Sequence, residues 1–307
     1  METLFKVKNP VIYFRGLNSH GDERLRFGLL ALGPMFQPWV SQLNSRGIKC
    51  IPVIGMGCGS LEQQIENATE FIYKKLSLGS STNKSTDFKV HFLGHSAGGI
   101  IARAVAHHLN SLLPVASILT LSSPHQGSPL AELIEQVPHL RPMVYQLLCS
   151  INYDIKKKLP TFSDLTPQRM SQFNERYPDL PHIVYASMAF AVHPEQLTWP
   201  VKFSNQMVDH KSQMQENDGF VEVASQKWGK LIYQGSLDHM NQIGYDLSWD
   251  LKKRKSHQQE FKTVVEKAIR FWSQVEGYKE DQSLMGYSKK YESKDRSKLN
   301  DEFFLRL

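Results

Sequence analysis

The sequence predicts an α/β fold: a mostly parallel sheet flanked by helices, with a helical insertion laid over it. Three observations carry this. Short apolar, β-rich runs alternate with amphipathic runs of helical period from Val11 to Leu121. A strand-like run, Phe88–Leu93, enters a Gly-rich turn and leaves it as a helix-like run, Ile100–Leu109. After Pro124 the alternation stops and a stretch of helical pieces, basic clusters and prolines follows. Strands joined through helices run parallel, because a crossover connection returns the chain to the same edge of the sheet.

The elements follow in order. Val11–Phe14 reads as a strand, Phe36–Asn44 as a helix that ends near Gly47, and Ile48–Ile54 as the second strand. Leu61, Ile65, Ala68, Ile72 and Leu76, spaced 4, 3, 4 and 4, mark one face of a helix. Phe88–Leu93 and Val115–Leu121 are the third and fourth strands. The insertion runs over about residues 127–181. Its segment Met143, Val144, Leu147, Leu148, Ile151 presents one apolar face, which suits either a permanent packing surface or a lid over an acyl pocket. Strands resume at Ile183–Ala189 and Lys230–Tyr233. The last helix is Gln259–Val275, with Phe261, Val265, Ala268 and Trp272 on one side and Gly277 as its stop. Residues 1–277 therefore read as one domain and 278–307 as a charged tail.

A chain of 307 residues with 41% hydrophobic and 21% charged residues is an ordinary globular composition. No apolar run approaches the roughly 20 residues of a membrane span, so no transmembrane segment is expected. No signal peptide is visible at Met1, which points to a cytoplasmic chain or one exported by a signal-independent route. Cys50, Cys58 and Cys149 form no disulfide framework and read as free thiols, with a Cys50–Cys58 pair open only if strand and loop geometry allow it. The net charge of +6 is concentrated at Lys156–Lys158, Lys252–Lys255 and beyond Tyr287. Such runs are solvated faces; without an interleaved aromatic platform they do not indicate nucleic acid. They do suit anionic lipid head groups.

The chemistry centres on Gly94-His95-Ser96-Ala97-Gly98-Gly99. Between a buried strand and a helix, GxSxG forces the serine onto a strained turn that exposes its hydroxyl. Gly94 and Gly98 are required because a Cβ at either place would meet the neighbouring strand or helix. Ser96 is the candidate nucleophile. A serine needs a base and a group to orient that base, and in doubly wound sheets the order is Ser, acid, His. His239, in the loop after the last strand, is placed for the base. His257, in a basic run at a helix start, and His210, which precedes the best acid, are the competitors. Asp218, at the Asn217-Asp218-Gly219 turn, is the candidate acid, with Asp209 and Asp238 as rivals. The oxyanion donors expected are the N–H groups of Ala97, after the nucleophile, and of Leu17, after Gly16, with Asn18 as the fallback. His125 reads as a structural hydrogen-bonding residue, and Gly55-Met56-Gly57-Cys58-Gly59 as a strand-to-helix turn rather than a dinucleotide loop.

In order along the chain stand Phe14-Arg15-Gly16-Leu17, the elbow, Ser122-Ser123-Pro124-His125-Gln126-Gly127-Ser128, Leu165-Thr166-Pro167 with Phe173–Pro178, Asn217–Val221 and His239-Met240-Asn241-Gln242. This set resembles the bacterial triacylglycerol lipases of the α/β-hydrolase superfamily, of the Pseudomonas/Burkholderia type, over about residues 10 to 275. The resemblance implies the α/β-hydrolase fold without the first two strands of the larger hydrolases, a helical lid, and hydrolysis of acyl-glycerol or other lipid esters. Phospholipase and acyltransferase chemistry with the same triad stays open, Arg15 and the basic patches lean slightly toward anionic lipids, and a non-catalytic binding protein is the rival class. Two departures stand out. Arg15-Gly16 replaces the family's His-Gly, and the long charged loop Asn18–Gly33 follows it. Either Asn241 stands where the family's structural calcium site has an aspartate, or the loop is shortened so that Asn241-Gln242 match the family's Asn-Gln; the carboxylate is missing both ways, so no metal and no cofactor are expected. The partner expected is a lipid or ester substrate, with transient contact at a lipid interface.

Overall fold

The computed structural model describes residues 5–16, 24–27, 30–57, 59–79, 88–136, 159–197, 216–246 and 248–278. The strands are β1 (Val11–Phe14), β2 (Arg24–Phe27), β3 (Leu30–Pro34), β4 (Cys50–Pro52), β5 (Val90–His95), β6 (Val115–Leu121), β7 (Val184–Phe190) and β8 (Lys230–Gly235). The helices are α1 (Gln37–Asn44), α2 (Leu61–Lys75), α3 (Ala97–His108), α4 (Pro129–Gln136), α5 (Leu159–Asp164), α6 (Pro167–Arg176), α7 (Val223–Gln226) and α8 (Leu251–Val275), with a 3₁₀ turn at Asn241–Ile243.

Six strands form one sheet in the order β4-β1-β5-β6-β7-β8, and each neighbouring pair is parallel. Every residue of β1 and β5 is buried, as expected of a sheet covered on both faces. The period of two divides β1 between the two layers. Ile12 and Phe14 pack with Ile65, Ala68, Ile100 and Ile101 of α2 and α3. Val11 and Tyr13 pack with Trp39, Leu43, Val265 and Trp272 of α1 and α8. The chain leaves β1 to one side for β4 and returns on the other for β5. That reversal opens a crevice at the carboxyl ends of β1 and β5, where open α/β sheets place their sites.

Local chemistry explains the helix ends. Ser60 and Gln63 cap α2 reciprocally, and Leu61, Ile65, Ala68 and Ile72 form its buried stripe as the spacing predicts. The last helix starts earlier than the periodicity indicates. Asp250 accepts from the backbone N–H of Lys252 and Lys253, so α8 begins at Leu251 instead of Gln259. The basic run there is thus helical although its composition is polar.

Two other expectations change. Part of the loop expected from Asn18 to Gly33 is an antiparallel hairpin, β2 with β3. Arg24-Leu25-Arg26-Phe27 alternates charged and apolar residues, which is strand period, and the charge masked it. The expected insertion is partly core. Leu165, Met170, Phe173 and Tyr177 pack in the core with α2 and α3. The face expected to form a lid, Met143 to Ile151, lies outside the described residues, as do Cys58, Cys149, Lys156–Lys158 and the tail beyond Tyr278. Cys50 is a buried free thiol. Among the described residues no helix is long and apolar enough to cross a membrane.

At the opposite end of the sheet from the crevice, Glu276 gathers the edges of the fold. Its carboxylate accepts from Lys8 N at 2.7 Å, Asn9 N at 2.8 Å, Asn9 Nδ2 at 2.9 Å and the buried His91 Nε2 at 3.1 Å. His91 Nδ1 lies 2.8 Å from Ser117 Oγ. Burial alone would raise the Glu276 carboxyl, but the His91 hydrogen bond and the two backbone donors outweigh it and hold the group down at about 2. A depressed carboxyl contributes stability above its unfolded value that is lost as pH falls through the folded one. Glu276→Gln is therefore expected to lower the melting temperature by several degrees at neutral pH. The gap to the wild type should shrink as pH falls from 4.5 towards about 2; a gap that is constant across that window by calorimetry contradicts the ionic role.

Candidate active site

Ser96 follows β5 and immediately precedes α3, with φ 56° and ψ −134°. A non-glycine residue there costs roughly 1–3 kcal/mol and persists only when its surroundings impose it. Here they do. Ser96 N donates to Leu121 O at 2.9 Å, and Gly99 N donates to Ser96 O at 3.1 Å. A Cβ on Gly94 would lie 2.3 Å from Gly99 Cα, and one on Gly98 would lie 2.3 Å from Phe14 O. β1, β5 and the start of α3 therefore meet more closely than any side chain allows. Gly16, at the end of β1, is the third such contact: its Cβ would lie 2.6 Å from Ser96 Cβ. Ala97 is the first residue of α3, where backbone N–H groups lack intrahelical partners and the helix dipole favours negative charge.

The candidate acid and base come from the far end of the chain. Asp218 is fully buried. Its Oδ1 accepts from Phe220 N at 3.1 Å and Val221 N at 2.9 Å, which fixes the carboxylate in its own turn. Its Oδ2 accepts from His239 Nδ1 at 2.7 Å and from Gln242 Nε2 at 2.9 Å. Burial pushes the Asp218 carboxyl up, but the His239 charge and the hydrogen bonds from His239 and Gln242 more than offset this and keep it below the ordinary value. An ionised carboxylate only accepts, so Nδ1 of His239 carries the proton and Nε2 is left as the basic nitrogen. The ring of His239 sits against Phe220, centroids 5.1 Å apart, and against His95, 4.6 Å apart. His95 is the residue before Ser96, so this contact brings the base to the elbow. Burial, aided by His239, pushes the His95 imidazole down to about 3, and it stays neutral beside the base.

The rival residues have other work. Asp238 Oδ1 accepts from Met240 N and Asn241 N at 3.0 and 2.9 Å and shapes the loop. His257 lies inside α8, half-buried, with Nδ1 2.9 Å from Asp246 Oδ2. Arg15 is buried at 2% exposure; it donates to Gly16 O at 3.0 Å and Gly57 O at 3.4 Å, which braces the turn after β1. His125 is buried in a network with Arg103, whose guanidinium lies 3.7 Å from the Trp228 ring and donates to Asn174 Oδ1 at 2.8 Å and Tyr177 O at 3.0 Å. That network ties α3 to α6 and accounts for Phe173–Pro178 as a structural motif. Leu17, Asn18, Asp209 and His210 lie outside the described residues.

Comparison with known proteins bears on this arrangement. Residues 53–193 match the model of a PGAP1-like alpha/beta domain, which includes the elbow and ends before the acid and the histidine. Triacylglycerol lipase 2 of Saccharomyces cerevisiae is 26% identical over 226 residues, covering 73% of this chain. The match spans 65% of that yeast protein's length. Staphylococcus hyicus lipase superposes with a TM-score of 0.61 at 15% identity, over 88% of this chain and 96% of that one. A Bacillus licheniformis lipase in its mature form superposes with a TM-score of 0.57 at 18% identity, over 84% and 92%. The fold is that of a lipase-like α/β-hydrolase.

Two supporting residues were not singled out in the sequence: Gln242 stood only inside the His239–Gln242 motif, and Gln226 in no motif at all. Gln242 Nε2 bridges Asp218 Oδ2 and Leu237 O, the latter at 3.2 Å. Gln226 accepts from Ser122 Oγ at 3.0 Å and Phe190 N at 2.6 Å and donates to Val221 O at 2.7 Å. It joins the ends of β6 and β7 to the Asp218 turn. Losing the Gln242 bond, at about 1.5 kcal/mol, corresponds to about tenfold in rate. Gln242→Leu is expected to lower kcat by about that factor with KM little changed, and to let the Asp218 carboxyl rise. Steady-state kinetics with an unchanged kcat would refute a role for Gln242 in holding the acid.

Proposed function

We propose that this chain is a serine carboxylic-ester hydrolase acting on lipid esters through an acyl-enzyme. The observation that carries the proposal is a serine held in a strained turn next to a buried Asp218–His239 pair at 2.7 Å. A binding protein gains nothing from the strain or from a fully buried carboxylate. Ser96 Oγ attacks the ester carbonyl while His239 Nε2 takes its proton, and Asp218 holds the imidazolium that forms. The N–H of Ala97, with that of Leu17 from the loop after Gly16, meets the oxyanion. His239 then gives the proton to the departing alcohol, and water repeats the cycle on the acyl-enzyme. The ordered motifs favour an acyl-glycerol substrate of the kind cleaved by Pseudomonas/Burkholderia-type lipases, and the name of the yeast relative points the same way.

The reading routes no step through a metal. At the position of the family's calcium aspartate, Asn241 offers an amide whose Nδ2 donates to Tyr245 O at 3.1 Å, which is not the carboxylate a hard cation prefers. Activity and melting temperature are expected to be unchanged by EDTA; a drop of several degrees that calcium reverses contradicts this.

Ser96→Ala is expected to cut turnover by at least about 10³-fold without unfolding the protein, because only a small hydroxyl is lost. The test is hydrolysis of p-nitrophenyl esters, triacylglycerols and phospholipids by wild type and variant, with fluorophosphonate labelling mapped by mass spectrometry. Full activity in the variant, or a label on another serine, defeats the assignment. If an apolar lid covers the acyl pocket, long-chain esters are hydrolysed faster than acetate, and Leu147→Asp harms long chains more than short ones. Equal loss on both assigns that face to the core.

A further inference from the structure

Beyond the site, the described surface carries a strongly anomalous feature. Trp249 is 96% exposed and its neighbour Leu251 is 70% exposed. Tryptophan is well buried on average, so an indole held almost entirely in water needs a reason. It is not on a loose strap. Ser248 N donates to Asp246 Oδ1 at 2.8 Å, Asp250 N donates to Ser248 Oγ at 3.3 Å, and Arg254 Nε donates to Ser248 O. The backbone thus presents the indole outward from a hydrogen-bonded frame.

The charge beside it is equally unusual. Lys252, Lys253 and Lys255 are exposed in the first turns of α8, which has no acidic residue in its first turn. Cations at a helix N-terminus oppose the macrodipole, so this placement costs stability. The nearby acids are already engaged: Asp250 caps α8 and Asp246 faces His257. An exposed indole and leucine flanked by lysines is the chemistry of an anionic bilayer surface: the ring sits at head-group level, and each basic residue adds about 1 kcal/mol there. Position agrees. Trp249 follows His239 by ten residues, and α8 packs on the Asn241–Ile243 turn directly after that histidine.

We infer that Trp249, Leu251 and the lysines at the start of α8 form a docking patch for an anionic phospholipid bilayer, on the same side of the fold as the candidate active site. The purpose of such docking rests on the lipid-ester reading; the binding itself does not, and the test separates them. Sedimentation of the full chain with vesicles of phosphatidylcholine alone, and with added phosphatidylserine, measures binding without turnover. Binding to the anionic vesicles is expected, weakening as salt rises. Trp249→Ser is expected to lose about tenfold in affinity, and Lys252→Glu combined with Lys253→Glu at least about thirtyfold. Both variants should hydrolyse a water-soluble short ester like the wild type, which shows that they fold. Absence of wild-type binding, or wild-type affinity in Trp249→Ser, overturns the proposal. Self-association of the wild type that Trp249→Ser abolishes assigns the patch to a second copy and overturns it too. Vesicle binding by a chain that cleaves no ester would sink the functional reading and leave the patch standing.

Discussion

Ser96 holds a backbone conformation that serine adopts only where the alternatives are sterically closed. What closes them is the approach of β1 and β5 to the start of α3, with no side chain at Gly94, Gly98 or Gly16 to keep them apart. Everything else in the candidate site depends on that approach. It tips the hydroxyl out of the sheet at the carboxyl ends of the strands and leaves the N–H of Ala97 at the first position of α3. It also sets the turn after β1 directly against the serine. Because the constraint is backbone against backbone, flexible side chains cannot relax it.

The other half of the site is held by a different principle. A fully buried carboxylate is costly unless its oxygens are satisfied. Asp218 meets four donors: two from its own turn, one from His239 and one from Gln242. The same hydrogen bonds that offset its burial fix its orientation, so satisfying the charge and aiming the imidazole are one event. Gln226 extends the arrangement into the sheet by binding the ends of β6 and β7 to that turn. Rigidity is thus inherited from the scaffold, while neutral His95 fills the space beside the base without a competing charge.

Much of this was legible in the sequence because glycine spacing and strand–helix alternation are local signals. Ser96, Asp218 and His239 are each marked by a turn with particular residues at particular offsets, and the chain order of the three is what singles out His239 as the candidate among twelve histidines. The supporting residues were harder. Gln242 and Gln226 act across 24 and 36 residues respectively, and an amide has no sequence signature for what it will meet. The hairpin β2–β3 was hidden because its alternation is written in arginines. The early start of α8 was hidden because a capping aspartate outweighs the absence of an apolar face. Arg15 leaned slightly toward anionic lipids in the sequence and is buried as a brace in the structure, since position after a strand does not reveal burial.

Glu276 has a bearing on how the molecule assembles. Its carboxylate joins residues 268 and 267 positions away in sequence, and His91 at 185. Closing loops of that size is entropically expensive until the intervening sheet has already shortened the distance. The clamp therefore belongs to the late part of folding, as a latch thrown once the strands are in register. It closes the end of the sheet remote from Ser96.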